Sequence, residues 1–251
     1  MTPDEMLARL IYRDGMMLVV DKPAGLSVHR GPKGGNSLED YFGVLRFGLP
    51  RDPALAHRLD KDTSGCLVLG RHRKALALLG KLFKNGHIGK TYWAVVEGGP
   101  AESEGRIDMP LSELDKTRGW WMKPDPAGKP ASSTWKVMGR ADGKTWLALE
   151  PLTGRTHQLR VHCAEMGFPI VGDPIYGSAP RTGGTPLHLH SRQIAVPISK
   201  NKPAVKVEAP VPEHMRELLK ACGWNGESSS QQLPPVMTGD GEVEEQAGRE
   251  R

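Results

Sequence analysis

The stretch AHRLDKDTSGCLVLG, residues 56–70, joins a polar, turn-forming segment directly to an apolar run typical of a buried strand. Its polar half carries two acids, Asp60 and Asp62, just before that strand begins. A carboxylate in such a place is well positioned for nucleophilic or general-base chemistry. Alternatively, both acids accept hydrogen bonds from backbone N–H groups in a tight turn, as Asp commonly does beside Thr-Ser-Gly. The local composition leaves both interpretations open.

Further strand-like runs are spread along the whole chain, and helical segments lie between them. Strands are predicted at MMLVV (16–20), CLVLG (66–70), TYWAVVEG (91–98), STWKVMGR (133–140), TWLALEPL (145–152) and LHLHSRQIAV (187–196). Helices are predicted over residues 37–48, 73–86, 157–167 and 212–223. Because the spacing does not repeat as regular strand–helix units, we expect one α+β domain over residues 1–224, with a largely antiparallel mixed sheet and flanking helices.

Charge is unevenly distributed along the 251 residues. Residues 225–251 hold 6 acidic and 2 basic side chains, so the net charge of +5 for the whole chain rises to +9 over residues 1–224. The acidic tail is also poor in large apolar residues, and we therefore predict that it is disordered. A basic body indicates a polyanionic partner such as nucleic acid.

Several classes of protein are disfavoured by composition. No apolar run approaches the roughly 18 to 20 residues that a membrane helix needs, and the start MTPDEMLARLIYRDG is unlike a signal peptide. The three cysteines are far apart and form no CxxC pair, which argues against a disulfide framework, a cysteine-rich zinc site and a thioredoxin-like centre. We expect a cytoplasmic protein without a membrane partner.

A second polar cluster, PLTGRTHQLRVHCAEMGFPIVGDPIYG, spans residues 151–177. Its first turns of predicted helix carry four basic side chains, Arg155, His157, Arg160 and His162. Near a helix start, where backbone donors are free, such groups suit a bound anion. The arginines are equally well explained as solvated helix charges.

The nine histidines do not form a convincing metal site. His157 and His162 are spaced at neither i,i+3 nor i,i+4, and His188 and His190 share a strand face without an accompanying HExxH or carboxylate–histidine pattern. The GPKGG segment at 31–35 lacks the GK[ST] ending of a phosphate-binding loop. We therefore expect neither a metal nor a nucleotide cofactor.

A third element is the strand GKTYWAVVEG, residues 89–98. Its alternation places Lys90, Tyr92 and Ala94 on one face, opposite Trp93 and Val95. A tyrosine beside a lysine offers a stacking platform next to a phosphate contact, which suits an unstacked base. Ordinary core packing of the tyrosine ring with a solvated hydroxyl is the alternative.

Taken together, HRLDKDTSG, GKTYWAVVEG and LTGRTHQLRVH, in that order, closely resemble motifs of the RluA-type branch of the pseudouridine synthases. DKPAGLSVHRG upstream, and GDPIYG and LHLHS downstream, extend the resemblance over roughly residues 10–210. The resemblance implies an enzyme that isomerises selected uridines in ribosomal or transfer RNA, breaking the C1′–N1 bond and rejoining the base through C5. It also implies that no metal, nucleotide or organic cofactor takes part.

By the same resemblance, Asp60 is the catalytic carboxylate and Tyr92 stacks on the flipped uracil. Arg160 would pair with Asp60 and keep it ionised, and Leu159 would pack near the base. Arg58 would enter the RNA helix in place of the flipped uridine, because a base must leave its stack before a side chain can reach it. Attack at C1′, attack at C6 and proton abstraction giving a glycal remain open as mechanisms.

Several relatives carry an amino-terminal S4 RNA-binding domain, which we expect this chain to lack. Target choice would then rest on the catalytic domain, expected to be a monomer, or on the loop 111–133. In that loop, Trp120, Trp121 and Lys123 either touch RNA or, for the two tryptophans, cover an edge of the core.

Two other functions compete with this one. A non-catalytic RNA-binding module or ribosome-assembly factor is disfavoured by the intact set of Asp60, Tyr92 and Arg160, because RNA binding needs no carboxylate that repels phosphate. A base-flipping glycosylase or deaminase is weaker still, since the H-x-E and P-C-x-x-C pattern of the zinc deaminases is absent.

Overall fold

The computed structural model describes residues 1–31, 34–113, 121–199 and 201–226. The predicted disorder of the tail from residue 227 onward, and the role of Trp120, therefore lie outside the described residues. The strands are β1 Leu10–Arg13, β2 Met17–Lys22, β3 Ala54–Leu55, β4 Ser64–Gly70, β5 Gly89–Glu97, β6 Glu104–Asp108, β7 Leu111–Glu113, β8 Met122–Pro124, β9 Ser132–Ala141, β10 Lys144–Pro151, β11 Leu189–Val196 and β12 Val205–Glu208. The helices are α1 Pro3–Leu7, α2 Arg73–Lys84, α3 Gln158–Glu165 and α4 Glu213–Ala221, with a 3₁₀ helix at Leu38–Leu45.

The strands form one large sheet with the order β1-β2-β4-β11-β5-β10-β9-β6. Two short strands lie off this path: β12 pairs with β11, and β3 pairs with β4. Strands β7 and β8 form a separate two-stranded sheet. The β4–β11 pair is parallel, and the other pairs are antiparallel. The predicted α+β class with a largely antiparallel mixed sheet is confirmed.

Strand β4 is buried along its entire length, as the apolar run after Asp60 predicts. It begins with an unusually close approach to β11 at Gly65, whose φ is +102°. A Cβ atom at this position would lie 2.3 Å from the carbonyl oxygen of Ser191, so only glycine fits. Gly65 of the TSG segment thus allows β4 to pack closely against β11 directly after the polar loop.

The two faces of the sheet bury separate apolar clusters. On one face, Ala94 of β5 and Leu149 of β10 pack with Leu159 of α3. On the other face, Val95 and the partly buried Trp93 pack against α4. The alternation predicted for β5 is therefore confirmed, and α3 is held over the face that carries Tyr92.

Three of the four predicted helices form near their predicted positions, and α2 ends just before Asn85-Gly86. The fourth differs in type, because residues Leu38–Leu45 form a 3₁₀ helix instead of an α-helix. The Asp40 carboxylate accepts the backbone N–H of Ser37 at 2.8 Å, as the capping pattern predicts, but Gly43 in the middle weakens α-helix formation. Within the described ranges, no helix has the length and apolar character needed to cross a bilayer.

Candidate active site

A cavity of about 170 Å³ opens between the loop that precedes β4, the strand β5 and the loop that leads from β10 into α3. The three sequence motifs, far apart in the chain, supply its walls. All five predicted site residues line it: Arg58, Asp60, Tyr92, Leu159 and Arg160. Lys90, His157 and Leu189 also contribute. The sequence had suggested Lys90 as a phosphate contact beside Tyr92 and His157 as part of a basic cluster, whereas Leu189 appeared only within the LHLHS motif.

Asp60 lies at the inner end of the loop before β4, with 19% of its side chain exposed. The turn is closed through its backbone, because the Thr63 N–H donates to the Asp60 carbonyl oxygen at 3.2 Å. In the part of the chain that the structure describes, no hydrogen bond reaches the Asp60 carboxylate. The turn-capping interpretation therefore does not hold for Asp60, whose carboxylate is left available to a bound molecule.

The loop around Asp60 is anchored from behind by a buried lysine. Lys22, at the end of β2, donates from its Nζ to the carbonyl oxygens of Lys61 at 2.8 Å and Pro23 at 2.7 Å. Burial lowers the pKa of Lys22 to about 7, although the charges of Asp62 and Asp60 oppose that shift. Lys22 belongs to the DKPAG segment, which the sequence marked only as part of a family motif.

Tyr92 faces the cavity from β5, where its neighbours across the sheet are Ser191 of β11 and Leu149 of β10. Burial raises the pKa of the Tyr92 hydroxyl, and the Asp60 charge adds to this, while a hydrogen bond with Ser191 opposes it. The phenol is therefore neutral at physiological pH. Its ring offers a flat wall beside the carboxylate.

Arg160 does not pair with Asp60, contrary to the prediction. Its Nε and Nη2 donate to the two carboxylate oxygens of Asp173 at 2.8 and 2.7 Å, and both side chains are almost completely buried. Asp173 lies in the GDPIYG segment, which follows α3, and it is the carboxylate that contacts the Arg160 guanidinium. The Asp60 charge acts on Arg160 only through space, raising its pKa together with Asp173, against the lowering effect of burial.

Asp173 is fully satisfied as an acceptor. Besides Arg160, the backbone N–H groups of Ile175 and Tyr176 donate to its Oδ1 at 2.9 and 3.1 Å. Burial alone would raise the pKa of Asp173, but these donors and the guanidinium charge hold it below its usual range. The sequence signal was an arginine between two apolar residues, Leu159 and Val161, which indicates a buried partner without showing which acid provides it.

The anion site predicted at the start of α3 is also not formed as expected. His162 is buried, and its two nitrogens contact the Ser133 hydroxyl and the Met109 carbonyl oxygen, both at 3.1 Å. Arg155 alone among the four basic residues keeps exposed surface, although its Nε donates to the carbonyl oxygen of Pro130 at 3.0 Å. The four residues therefore do not act as one cluster: Arg160 and His162 have internal partners, whereas Arg155 lies at the cavity.

Gln158 fixes the loop that carries these residues. Its Oε1 accepts from the Thr153 hydroxyl at 2.6 Å and the Arg155 N–H at 3.0 Å, while its Nε2 donates to Ser132 and Ser133. All four hydrogen-bonding positions of the amide are used. Gln158 is thus a buried clamp between β9 and the start of α3.

The rim of the cavity is positively charged. Arg58 is exposed at one side, and Lys90 and Arg155 contribute at others. Burial lowers the pKa of Lys90. Three cations around an opening with a carboxylate at its base suit a ligand whose phosphates stay outside while an uncharged group enters.

Three further observations concern metal ligands, the thiols and Trp121. Among the described residues, no group of three or more histidine, cysteine, aspartate or glutamate side chains is arranged to hold a metal ion. The three cysteines, Cys66, Cys163 and Cys222, are buried free thiols. Trp121 lies beside Arg181, whose guanidinium carbon is 5.1 Å from the indole centre, so it is partly covered by that side chain.

Comparisons with known proteins agree with this geometry. A family model described as RNA pseudouridylate synthase matches residues 16–165, more than half of the chain. An uncharacterized RNA pseudouridine synthase of Zymomonas mobilis is 42% identical over 84% of this chain and 96% of that protein. The ribosomal large subunit pseudouridine synthase D of Yersinia pestis is 32% identical over 92% of this chain and 75% of that protein.

A solved structure leads to the same fold. Human RNA Pseudouridylate Synthase Domain Containing 4 superposes with a TM-score of 0.74 at 26% identity, covering 88% of this chain and 95% of that one. The motifs, the cavity that they build and these relatives converge. The chain belongs to the RNA pseudouridylate synthase family, in its RluA-type branch, and is an RNA-modifying isomerase.

Proposed function

We propose that this enzyme converts uridine to pseudouridine in ribosomal RNA, by flipping the base into the cavity and using Asp60 as its catalytic carboxylate. The observation that carries the proposal is the state of Asp60: a partly exposed carboxylate, without hydrogen bonds from the described residues, beside the ring of Tyr92. A carboxylate that only capped a turn would have its oxygens occupied by backbone donors.

The size and lining of the cavity support the entry of a single base. A cavity of about 150 Å³ holds a benzene ring in another protein, and the volume of about 170 Å³ found here suits the six-membered ring of uracil. Tyr92 supplies a stacking face, while Leu159 and Leu189 supply apolar contact. The uracil would therefore lie between a ring and two leucines, within reach of Asp60.

The chemistry that follows needs an ionised carboxylate. Asp60 would add to C1′ or C6, or would remove a proton from the ribose to give a glycal, and each route leads to cleavage of the C1′–N1 bond. The freed base then turns and C5 bonds to C1′. The bond from Asp60 to C1′ or C6 breaks again or, in the glycal route, the proton held by Asp60 returns to the ribose. C5 loses its proton to solvent and N1 takes one up, so the product is an isomer of uridine. Tyr92, Leu159 and Leu189 would keep water away from the detached base and so protect it.

The positive rim supports RNA as the molecule that delivers the base. Arg58, Lys90 and Arg155 would hold phosphates on both sides of the flipped nucleotide, and Arg58 would fill the gap that it leaves. Ribosomal RNA is favoured over transfer RNA because relatives such as the Yersinia pestis enzyme are ribosomal large subunit pseudouridine synthases. We further propose a cytoplasmic monomer that acts without metal or cofactor. The free thiols of all three cysteines support only the cytoplasmic part of this proposal.

The test is tritium release from RNA labelled at uridine C5, measured separately on large-subunit ribosomal RNA, small-subunit ribosomal RNA and transfer RNA from cells that lack this protein. Wild type should release tritium from ribosomal RNA, and Asp60→Asn should not. Asp62→Asn is the matched control, because it removes a charge from the same loop outside the cavity.

Each other outcome has a defined meaning. Release from transfer RNA alone would replace the proposed substrate. An Asp60→Asn variant as active as wild type would remove Asp60 from the mechanism, and no release from any cellular RNA would favour the non-catalytic binding module.

A further inference from the structure

His157 is the one histidine of α3 and its N-cap that faces the cavity. Its Nε2 lies 3.8 Å from Oδ2 of Asp60, and only 3% of its side chain is exposed. His162, on the same helix, has both nitrogens near internal polar partners and lines no part of the cavity. The two buried histidines therefore have different surroundings, although the HQLRVH segment presents them alike.

The proton arrangement on His157 follows from its other nitrogen. The backbone N–H of Met122 donates to the Tyr176 hydroxyl oxygen at 2.9 Å, which leaves the hydroxyl hydrogen free to point elsewhere. The Tyr176 oxygen lies 2.9 Å from Nδ1 of His157, and we assign this contact as the hydroxyl donating its hydrogen to Nδ1. A neutral imidazole that accepts at Nδ1 carries its proton on Nε2, the nitrogen nearest Asp60.

Tyr176 is itself held by the buried ion pair. Its backbone N–H donates to Asp173, and the guanidinium of Arg160 lies 5.4 Å from the centre of its ring. His157 adopts φ 52° and ψ 16°, in the left-handed region. For residues other than glycine, such a conformation persists where the surrounding structure over-determines it, as happens at functional sites.

We propose that His157 is a positioning residue for Asp60: its Nε2–H orients the carboxylate toward the flipped base, and the Tyr176 hydroxyl fixes the tautomer that makes this possible. The inference rests on the Asp60-dependent reaction proposed above. It gives the Arg160–Asp173 pair a role that the sequence had not assigned, which is to place Tyr176. The distance of 3.8 Å would shorten to a hydrogen bond when RNA closes the site.

The electrostatics agree with a neutral donor. Burial lowers the pKa of His157, and so do the charges of Arg160 and Arg58, while Asp60 and Asp173 act in the opposite direction. The ring is thus neutral at neutral pH, and its tautomer matters. A protonated ring would leave the Tyr176 hydroxyl without its acceptor.

The experiment is a double-mutant cycle on tritium release, with kcat and KM measured separately. Tyr176→Phe should lower kcat about tenfold, the cost of one hydrogen bond, and leave KM within about twofold. His157→Gln keeps an N–H donor of similar reach but has no tautomer to fix. Adding Tyr176→Phe to His157→Gln should therefore change kcat by less than about twofold.

The cycle separates positioning from general destabilisation. A purely structural role of Tyr176 would lower activity equally in both backgrounds, and that result would overturn the proposal. So would an unchanged kcat in Tyr176→Phe, which also decides the matter if His157→Gln does not fold. Tyr12→Phe, which removes a hydroxyl that contacts Asp14 outside the cavity, is the matched control and should behave as wild type.

Asp60→Asn is measured in parallel to keep the two proposals apart. If Asp60→Asn is inactive while Tyr176→Phe matches wild type, the positioning role of His157 fails and the proposed function stands. If Asp60→Asn is as active as wild type, the Asp60-dependent reaction of the proposed function is wrong. The positioning role of His157 is then wrong as well.

Discussion

Two carboxylates lie within the same group of motifs, and the protein treats them in opposite ways. Asp173 is completely buried, binds Arg160 through both oxygens and accepts two backbone N–H groups. Asp60 is partly exposed and receives no hydrogen bond from the described residues at its carboxylate. The backbone around Asp60 is nevertheless firmly held, by the Lys22 ammonium group and by the Thr63 turn.

The difference separates a carboxylate that stabilises the fold from one that is kept for chemistry. Every donor around Asp173 is part of the structure, so its charge is already compensated. At Asp60 the loop is fixed while the reacting oxygens are left open, which is how a site is organised before its substrate arrives. Replacing one carboxylate oxygen by an amide NH2 group should therefore have very different consequences at Asp60 and at Asp173.

The largest effect is expected for Asp60→Asn on turnover. Removing the charge and nucleophilicity of Asp60 should lower the rate of tritium release by at least about 10³-fold, or about 4 kcal/mol in the barrier. Because no described hydrogen bond to the carboxylate is lost, the free energy of unfolding should stay within about 0.5 kcal/mol of wild type. Urea unfolding beside the activity assay checks both halves, and a strongly destabilised variant would mean that Asp60 resembles Asp173 after all.

Asp173→Asn should act mainly on stability. It leaves the Arg160 guanidinium buried without its counter-charge, which typically costs about 3 to 5 kcal/mol of stability. Urea unfolding is again the measurement. Combining Asp173→Asn with Arg160→Met should recover part of the loss, since no uncompensated charge then remains, and a double variant less stable than Asp173→Asn would contradict this account.

Much of the fold, and the membership of the site, could be predicted from the sequence because both depend on local patterns. Strand alternation located the Tyr92 face of β5, and the run after Asp60 located the buried β4. The five residues named by the motif resemblance all line the cavity. These features need only the residue types at their spacing.

The partners of the buried charges could not be predicted, because they depend on which segments meet in three dimensions. Asp60 and Asp173 both belong to the family's motifs, and nothing in the sequence shows which of the two carboxylates binds Arg160. Lys22 likewise contacts Lys61, 39 residues further along, through a backbone carbonyl that any residue would provide. Side chain to main chain contacts of this kind leave no compositional trace.

A smaller effect is expected at Tyr92, the side chain that would cover the base above Asp60. Tyr92→Phe keeps the ring and should retain RNA affinity, whereas Tyr92→Ala should weaken binding by about 1 to 3 kcal/mol. Filter binding to the same RNA at fixed salt gives both values. Equal and negligible changes would show that the open carboxylate does not mark the place where the base binds.

The smallest effect is on the pH dependence of the free energy of unfolding. It separates the side chains that hold the Asp60 region from those that hold Asp173. The region of Asp60 rests on neutral histidines: His57 Nε2 accepts the Val68 N–H at 3.0 Å, and His190 Nδ1 lies 2.9 Å from the Ser64 hydroxyl. Burial lowers the pKa of each of these histidines to about 3. In the unfolded chain they titrate near pH 6.5, as free histidine side chains do.

Between about pH 6.5 and 3, the unfolded chain therefore binds more protons than the folded one, and stability must fall as the pH is lowered. Each histidine contributes a slope of at most about 1.4 kcal/mol per pH unit. The pKa of Asp173 is also lowered on folding, so its contribution is complete above about pH 4 and is lost only below that pH. Acid should thus weaken the support of Asp60 before it reaches the Arg160–Asp173 pair.

The variant that tests this order is His57→Gln, whose amide oxygen can still accept the Val68 N–H but does not titrate. From pH 6.5 to 4.5, its free energy of unfolding in urea should fall less steeply than that of wild type, by up to about 1.4 kcal/mol per pH unit. Parallel slopes for the two proteins would mean that folding does not lower the pKa of His57. The neutral support of the Asp60 region would then be wrong, while the ion pair at Asp173 would be unaffected.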